Sequence, residues 1–545
     1  MYLDTSTLKK NGKVFTRHLL RTSFREDGKV KHKTIANVSA CSDNEVAAIR
    51  LALKHKHNLA AVASIADVQI ALGKRIGAAW VVHVLAERLG IAQALGKDRD
   101  GKLALLQVLA RVIGQGSRLS AVRLAQRHAL CEIIGIQKLD EDDLYDNLGW
   151  LSTQQEAIEK RLFEGRFPET VPTLFLYDVT SASLEGTGNA LAEWGDDRDT
   201  KRGKKPIGVG LLTGPDGLPV AVRVFKGNTN DPKTMSDQVK ILAERFGVTE
   251  VTLVGDRGML KGPQIALLPD GFRYITAITK PQIVKMLHDG VLQYTLFDAQ
   301  ICEVDLQGIR YILRRNPVRA EHLAAVREAK EVSLRALAAD RTRYLADHPK
   351  ADVGTAGAKV RAKITKLHAQ PWLRVTTEGR SITVESDEAA RAEAAVLDGC
   401  YVIKSDVPKP HADAQTLHDR YCDLERVERS FRTMKTAHLE MRPVFVRKED
   451  RTRGHVFVVM LALVVQRALE KSWGTLNMTV QEGIDELAAI CMQEVQLGTA
   501  SIQNIPTPTL MGTQLLSKAG VVLPSVLPSF KASVHTKKKL QNERR

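Results

Sequence analysis

Residues 419–436 read DRYCDLERVERSFRTMKT, a pattern that a single helix would resolve into two faces. At about 100° per residue, Leu424, Val427, Phe431 and Met434 fall on one apolar arc. Tyr421, Glu428, Arg432 and Lys435 form a polar stripe beside it. Glu428 lies about 40° from Leu424 and about 60° from Phe431, so it borders the buried edge. Glu425 is rotated about a further 60° toward solvent. A solvated charged face is the competing reading, because Glu425/Arg429 and Glu428/Arg432 are ordinary i,i+4 pairs. Two apolar strands upstream, each delivering an Asp, favour a functional stripe.

The first of those strands is 173–177, ending at Asp178, and a Gly- and charge-rich loop, 185–205, follows it. Segments 207–213 and 218–225 flank Gly214-Pro215-Asp216-Gly217, a strong hairpin turn. Asp231 before Pro232 reads as an N-cap opening a helix that Gly247 closes. The second strand, 251–255, delivers Asp256; a helix near 261–268 leads to strand 273–278. Three antiparallel strands and a right-handed crossover would lay the fourth strand parallel to the first. That is the topology of the ribonuclease H fold, and it would bring Asp178 and Asp256 together. Asp196, Asp197 and Asp199 read as solvated loop residues, since nothing rigid positions them.

Residues 281–397 interrupt this domain, with strand-like pieces at 292–297, 309–313, 373–377 and 381–384 and a charged helix over 320–346. A strand resumes at 400–404, and an apolar-faced helix is expected over 451–471. On the N-terminal side, 13–38 alternate around Glu26-Asp27-Gly28, which predicts a hairpin. Its face is expected to be basic through Lys13, Arg17, His18, Arg21, Arg25, Lys29, Lys31 and Lys33, suited to DNA backbone or simply to solvent. Residues 44–165 read as helical, and Arg118, Arg123 and Arg127 lie beside an apolar stripe. Prolines 506, 508, 524 and 528 precede Lys537-Lys538-Lys539 and Arg544-Arg545, the pattern of a basic tail without fixed structure.

Composition bounds the partners. The 545 residues are 44% hydrophobic and 26% charged, within the range of a globular chain of two to four domains. A net charge of +16 favours a polyanion, nucleic acid before membrane. The six cysteines are scattered without a CxxC pair, which argues against structural zinc and for a reducing compartment. No signal peptide is apparent, and the apolar run 456–465 is too short to span a bilayer. The expected location is the bacterial cytoplasm, on the nucleoid, with no membrane partner.

Two Asp from adjacent strands and a Glu from a crossing helix are a donor set for a pair of Mg²⁺ ions. The motifs YDVTS at 177–181, GNTND at 227–231, GDRGM at 255–259 and Tyr421-x6-Glu428-x6-Lys435 resemble those of DDE transposases of bacterial insertion sequences. The resemblance is to the IS-four superfamily, with its Tyr-Arg-Glu-Lys signature, and covers about 170–470. It implies that Asp178, Asp256 and Glu428 are catalytic and hold two Mg²⁺, with Mn²⁺ as a possible substitute. Tyr421 and Lys435 would then contact DNA near the cleaved phosphate. The signature Arg is Leu424 here; Arg432 or Arg426 could supply its phosphate contact.

The expected fold class is α/β: a ribonuclease H-like catalytic domain (169–280 and 398–475) interrupted by a β-rich insertion (281–397). A basic hairpin region (1–45) and a mainly helical, DNA-binding region (46–168) precede it, and 476–545 form a C-terminal region with a basic tail. The expected function is Mg-dependent cleavage and strand transfer at the terminal inverted repeats of an insertion sequence, on double-stranded DNA, as a homodimer in the DNA complex. A domesticated, inactive DNA-binding protein is the alternative. A phosphatase of the haloacid-dehalogenase type is disfavoured, because Thr180 and Leu260 stand where that chemistry needs Asp.

Overall fold

The computed structural model describes the chain except residues 11–12, 58–67, 187, 196–202, 258, 261, 298–300, 436–438, 442–443, 498–499, 528–531 and 537–545. Asp196, Asp197, Asp199 and the tail 537–545 therefore lie outside the described residues. Contacts divide the chain into two compact units. One comprises Met1–Leu85, Ser117–Glu141 and Ala468–Arg545; the other comprises Ala86–Gly116 and Asp142–Arg467.

In the first unit, strands Lys13–Glu26 and Lys29–Asn37 form the expected hairpin, with Asp27 and Gly28 both at positive φ in its two-residue turn. A third strand, Tyr2–Lys10, pairs on the other side. The basic residues do not share one face. The turn sets Glu26 opposite Lys29 and Phe24 opposite Lys31. Lys29, Lys31 and Lys33 therefore lie with the even-numbered residues of the first hairpin strand, and Arg17, Arg21 and Arg25 lie on the other side. Beyond residue 476 come helix Val480–Ala488 and strands Cys491–Leu497 and Ala500–Asn504, and helix Leu510–Lys518 gives order within the proline-bearing stretch expected to lack it.

The second unit is built on one mixed sheet of eight strands. In chain order these are β1 (Leu174–Ser183), β2 (Pro206–Thr213), β3 (Pro219–Lys226), β4 (Val251–Gly255), β5 (Phe272–Ala277), β6 (Cys302–Leu306), β7 (Ile309–Arg315) and β8 (Cys400–Ser405). Across the sheet they run β6-β7-β8-β5-β4-β1-β2-β3. β1, β2 and β3 are antiparallel neighbours, and β4 lies parallel to both β1 and β5, as the strand order requires. The helices around the sheet are α1 (Glu141–Arg166), α2 (Asp231–Lys240), α3 (Lys280–His288), α4 (Pro317–Asp347), α5 (Ala414–Cys422), α6 (Leu424–Lys435) and α7 (Glu449–Trp473).

The segment 281–397 departs from expectation. It is mainly helical rather than β-rich: α4 alone has 31 residues, helix Val353–Lys366 adds 14, and the four strands have 5 to 7 each. Its residues explain this, since 320–346 are dominated by Ala, Arg, Glu and Leu, all strong helix formers. Residues 294–297 form a 3₁₀ turn, not a strand. β6 and β7 extend the main sheet, whereas Leu334, Val360, Ile364, Trp372 and Ile382 form a separate small core.

α7 is long and apolar enough to cross a membrane, but 78% of its apolar window is buried inside the fold. It is a core helix. Its Gly454 lets the backbone meet α1: an added Cβ would fall 2.0 Å from the Leu148 carbonyl oxygen. Gly454→Ala should destabilise the chain by about 1–3 kcal/mol through overpacking. Gly165, near the end of α1, has open space around it, so Gly165→Ala should stabilise by about 0.5 kcal/mol. Thermal unfolding of the two variants should therefore shift in opposite directions.

Candidate active site

Strand pairing places the first two acids. Tyr177 of β1 stands opposite Gly255 of β4, so Asp178 and Asp256 come next on adjacent parallel strands. Alternate side chains point to opposite faces. Phe175, Tyr177 and Val179 join Val251 and Leu253 in the core cluster on one face. Leu176, Val254 and the two acids take the other, where α6 packs on β1. β1 does not stop at Asp178; it runs on to Ser183 against β2, while β4 ends at Gly255. The β1–β4 ladder thus opens at the acids. Each carboxylate accepts the next backbone N–H at 2.7 Å, from Val179 and from Arg257.

Residues 419–435 belong to two helices, not one. α5 ends at Cys422 and α6 begins at Leu424. Asp423 sits between them, donating its N–H to Asp419, accepting from the Arg426 N–H, and pairing its carboxylate with Arg426 at 3.0 Å. The apolar arc is nevertheless as expected, with Leu424, Val427, Phe431 and Met434 all buried. Ser430 and Thr433 widen the buried face by hydrogen-bonding back to the Arg426 and Arg429 carbonyls. Arg426 also donates to the Pro215 carbonyl in the β2–β3 turn. It docks the helix, which leaves Arg432, exposed one turn beyond Glu428, as the stripe's candidate for phosphate.

A cavity of about 740 Å³ opens over the acids, lined by Asp178, Asp256, Tyr421, Glu425 and Glu428 among others. Arg432 and Lys435, farther along α6 than Glu428, are not on its wall. Glu425, expected to face away, lines the cavity with Glu428. Among the described residues, no three His, Cys, Asp or Glu side chains stand close enough to share one metal ion. The acids share a cavity without being drawn together in it.

α5 is held by His418, a buried side chain the sequence did not single out. One ring nitrogen lies 3.0 Å from the Asp419 carboxylate and the other 2.6 Å from the Tyr401 hydroxyl on β8. Arg314 of β7 donates onto the same ring at 3.1 Å. The hydrogen bond from His418 holds Asp419 below the usual carboxylate range. This hub fixes the helix that carries Tyr421, whose hydroxyl reaches Asp256 Oδ1 at 3.4 Å. Burial, and then the charge of Asp256, pushes the Tyr421 phenol up, so it stays a donor through the neutral range.

Two family matches bear on this geometry. Residues 3–63 match the IS1634 family transposase N-terminal domain, and 169–465 match the transposase DDE domain. The second match takes in the whole eight-stranded sheet and the cavity above it. The chain belongs to the DDE transposases of insertion sequences. No curated protein matches it. Among the residues expected to act, Asp178, Asp256, Tyr421 and Glu428 of this transposase meet in one cavity. The sequence reading missed Arg257, Lys280, Arg319 and Tyr401 on the same wall. Only Arg257 carried a signal, inside the GDRGM motif.

Tyr421→Phe removes one long hydrogen bond to Asp256 and leaves the ring in place. The expected result is normal folding and a loss in DNA cleavage rate within about tenfold, from a bond worth about 0.5–1.5 kcal/mol. Single-turnover cleavage with circular dichroism as the folding control measures both.

Proposed function

We propose that this transposase binds the terminal inverted repeats of its insertion sequence, cleaves the 3′ strands and joins them to target DNA. The observation that carries the proposal is that Asp178 on β1 and Asp256, the residue after the adjacent parallel strand β4, line one cavity with Glu428. Strand order β3-helix-β4, with β4 beside β1, supports a ribonuclease H-like reading of 169–280 and 398–475. In this reading 281–397 are an insertion, 1–45 and 46–168 face DNA, and 476–545 form the C-terminal region. The protein works in the bacterial cytoplasm on double-stranded DNA, as a homodimer in the DNA complex.

The proposed ligand atoms are carboxylate oxygens, which suit hard divalent cations such as Mg²⁺, with Mn²⁺ as a substitute. Asp178, Asp256 and Glu428 would hold two such ions, which would supply activation of an attacking oxygen and charge stabilisation of a leaving one. Tyr421 keeps Asp256 oriented through its hydroxyl. Arg432 and Lys435, on the last turns of α6, are proposed to meet DNA phosphates beyond the cavity. α6 itself is a rigid platform, because its apolar face is locked on β1. A domesticated DNA-binding role is the weaker reading, since all three acids are present and share one cavity.

Asp178→Asn or Asp256→Asn should abolish cleavage of a labelled repeat end while leaving binding within a few-fold. Metal ligands act on the chemical step, whereas basic surfaces supply affinity. Glu428→Gln should also abolish Mg²⁺-dependent cleavage, with partial recovery in Mn²⁺, and Glu425→Gln should keep most activity. Normal cleavage by either Asp variant would remove that residue from the site. Reversed behaviour of the two Glu variants would transfer the third acid to Glu425.

A further inference from the structure

We propose that Arg257, Lys280 and Arg319 form a phosphate-binding arm for a single DNA strand leaving the carboxylate end of the cavity. The inference rests on reading that cavity as the DNA-cutting site. Four carboxylates, of Asp178, Asp256, Glu425 and Glu428, line it together with these three cations. The cations come from three separate elements: the residue after Asp256, the first residue of α3, and the first turn of α4.

Neighbouring arginines are taken up by the fold. Arg310 is buried against Glu303, Arg315 donates to the Asp398 carbonyl, and Arg327 pairs with the Asp398 carboxylate. Arg257, Lys280 and Arg319 differ: they are exposed, and among the described residues none of them makes an ion pair. Three unpaired cations on one cavity wall form an anion site in search of an anion. The first turns of α3 and α4, both on that wall, add the positive ends of two helix dipoles.

The sheet order sets two ends: Asp178 and Asp256 belong to β1 and the end of β4, whereas Lys280 follows β5 and Arg319 follows β7, farther across the sheet. Carboxylates alone repel phosphate, so a strand placed with one phosphate over the acids gains most where its following phosphates meet cations. Arg257, adjacent in sequence to Asp256, joins the two ends. Tyr401 and Tyr421 lie on the same wall. Cations beside aromatic side chains, as Lys280 and Arg319 are beside Tyr401, are a pattern of single-strand binding. A cavity of about 740 Å³ fits a short length of one strand rather than a duplex.

The test measures binding of a fluorescein-labelled 20-nucleotide dT strand to the full chain, in EDTA, across 50–200 mM salt. Lys280→Ala/Arg319→Ala should lower the slope of log affinity against log salt by about 1.4, at about 0.7 per lost single-strand phosphate contact. Lys359→Ala/Lys366→Ala, an equal loss of exposed charge on helix Val353–Lys366, should leave the slope unchanged. An unchanged slope in the first variant, or an equal fall in the second, would overturn the arm. The same loss on a 20-base-pair duplex would overturn its assignment to one strand. Because the assay contains no metal and reads no cleavage, it stands whether or not Asp178, Asp256 and Glu428 carry the chemistry; failure of that assignment would appear only in the cleavage assays.

Discussion

The parallel pairing of β1 with β4, with Tyr177 opposite Gly255, is the constraint on which the cavity depends. Side chains alternate along a strand, so a slip of one residue would turn one acid into the core and leave the other outside. The core opposes that slip. Phe175, Tyr177, Leu253 and Tyr274 are fully buried on one face, and shifting them outward would expose large aromatic surfaces. Gly210 on β2 takes part as well: a Cβ there would fall 2.3 Å from the Tyr177 hydroxyl, so only glycine leaves that ring its place.

The opposite face is closed by α6, which brings a third acid to a sheet that supplies two. Its apolar arc packs on β1 while Arg426 anchors its first turn to the β2–β3 hairpin. α5 is fastened separately, through His418 to β7 and β8. The break at Asp423 lets each helix satisfy its own contacts, and Tyr421 and Glu428 still arrive at one cavity. The two helices together act as a jig for the acids.

Much of this was legible in the chain. Strands 251–255 and 207–213, the hairpin turn at 214–217 and the arc of α6 followed from alternation, turn residues and helical spacing, all local signals. What could not be read was set by tertiary contact. The break at Asp423 is a single residue that keeps helical φ and ψ, and no spacing announces it. The His418 hub joins residues over 100 positions apart, and no spacing announces it. Extension of β1 past Asp178 depends on pairing with β2, which lies beyond a long loop. The β-rich expectation for 281–397 gave weight to four strand-like pieces, of which three are strands, whereas the Ala- and Arg-rich residues between them favoured helix.

The central proposal is that residues 178, 256 and 428, far apart in sequence, flank the divalent cations proposed for one cavity. Fe²⁺ substituted for Mg²⁺ and treated with ascorbate and peroxide releases hydroxyl radicals that cut the polypeptide only near the ion. Mapping those cuts in the full chain bound to an element end is the most direct measurement. The account predicts three clusters of cuts, near 178, 256 and 428, all suppressed together by excess Mg²⁺. Cuts confined to one of these regions, or centred elsewhere in the chain, would contradict it.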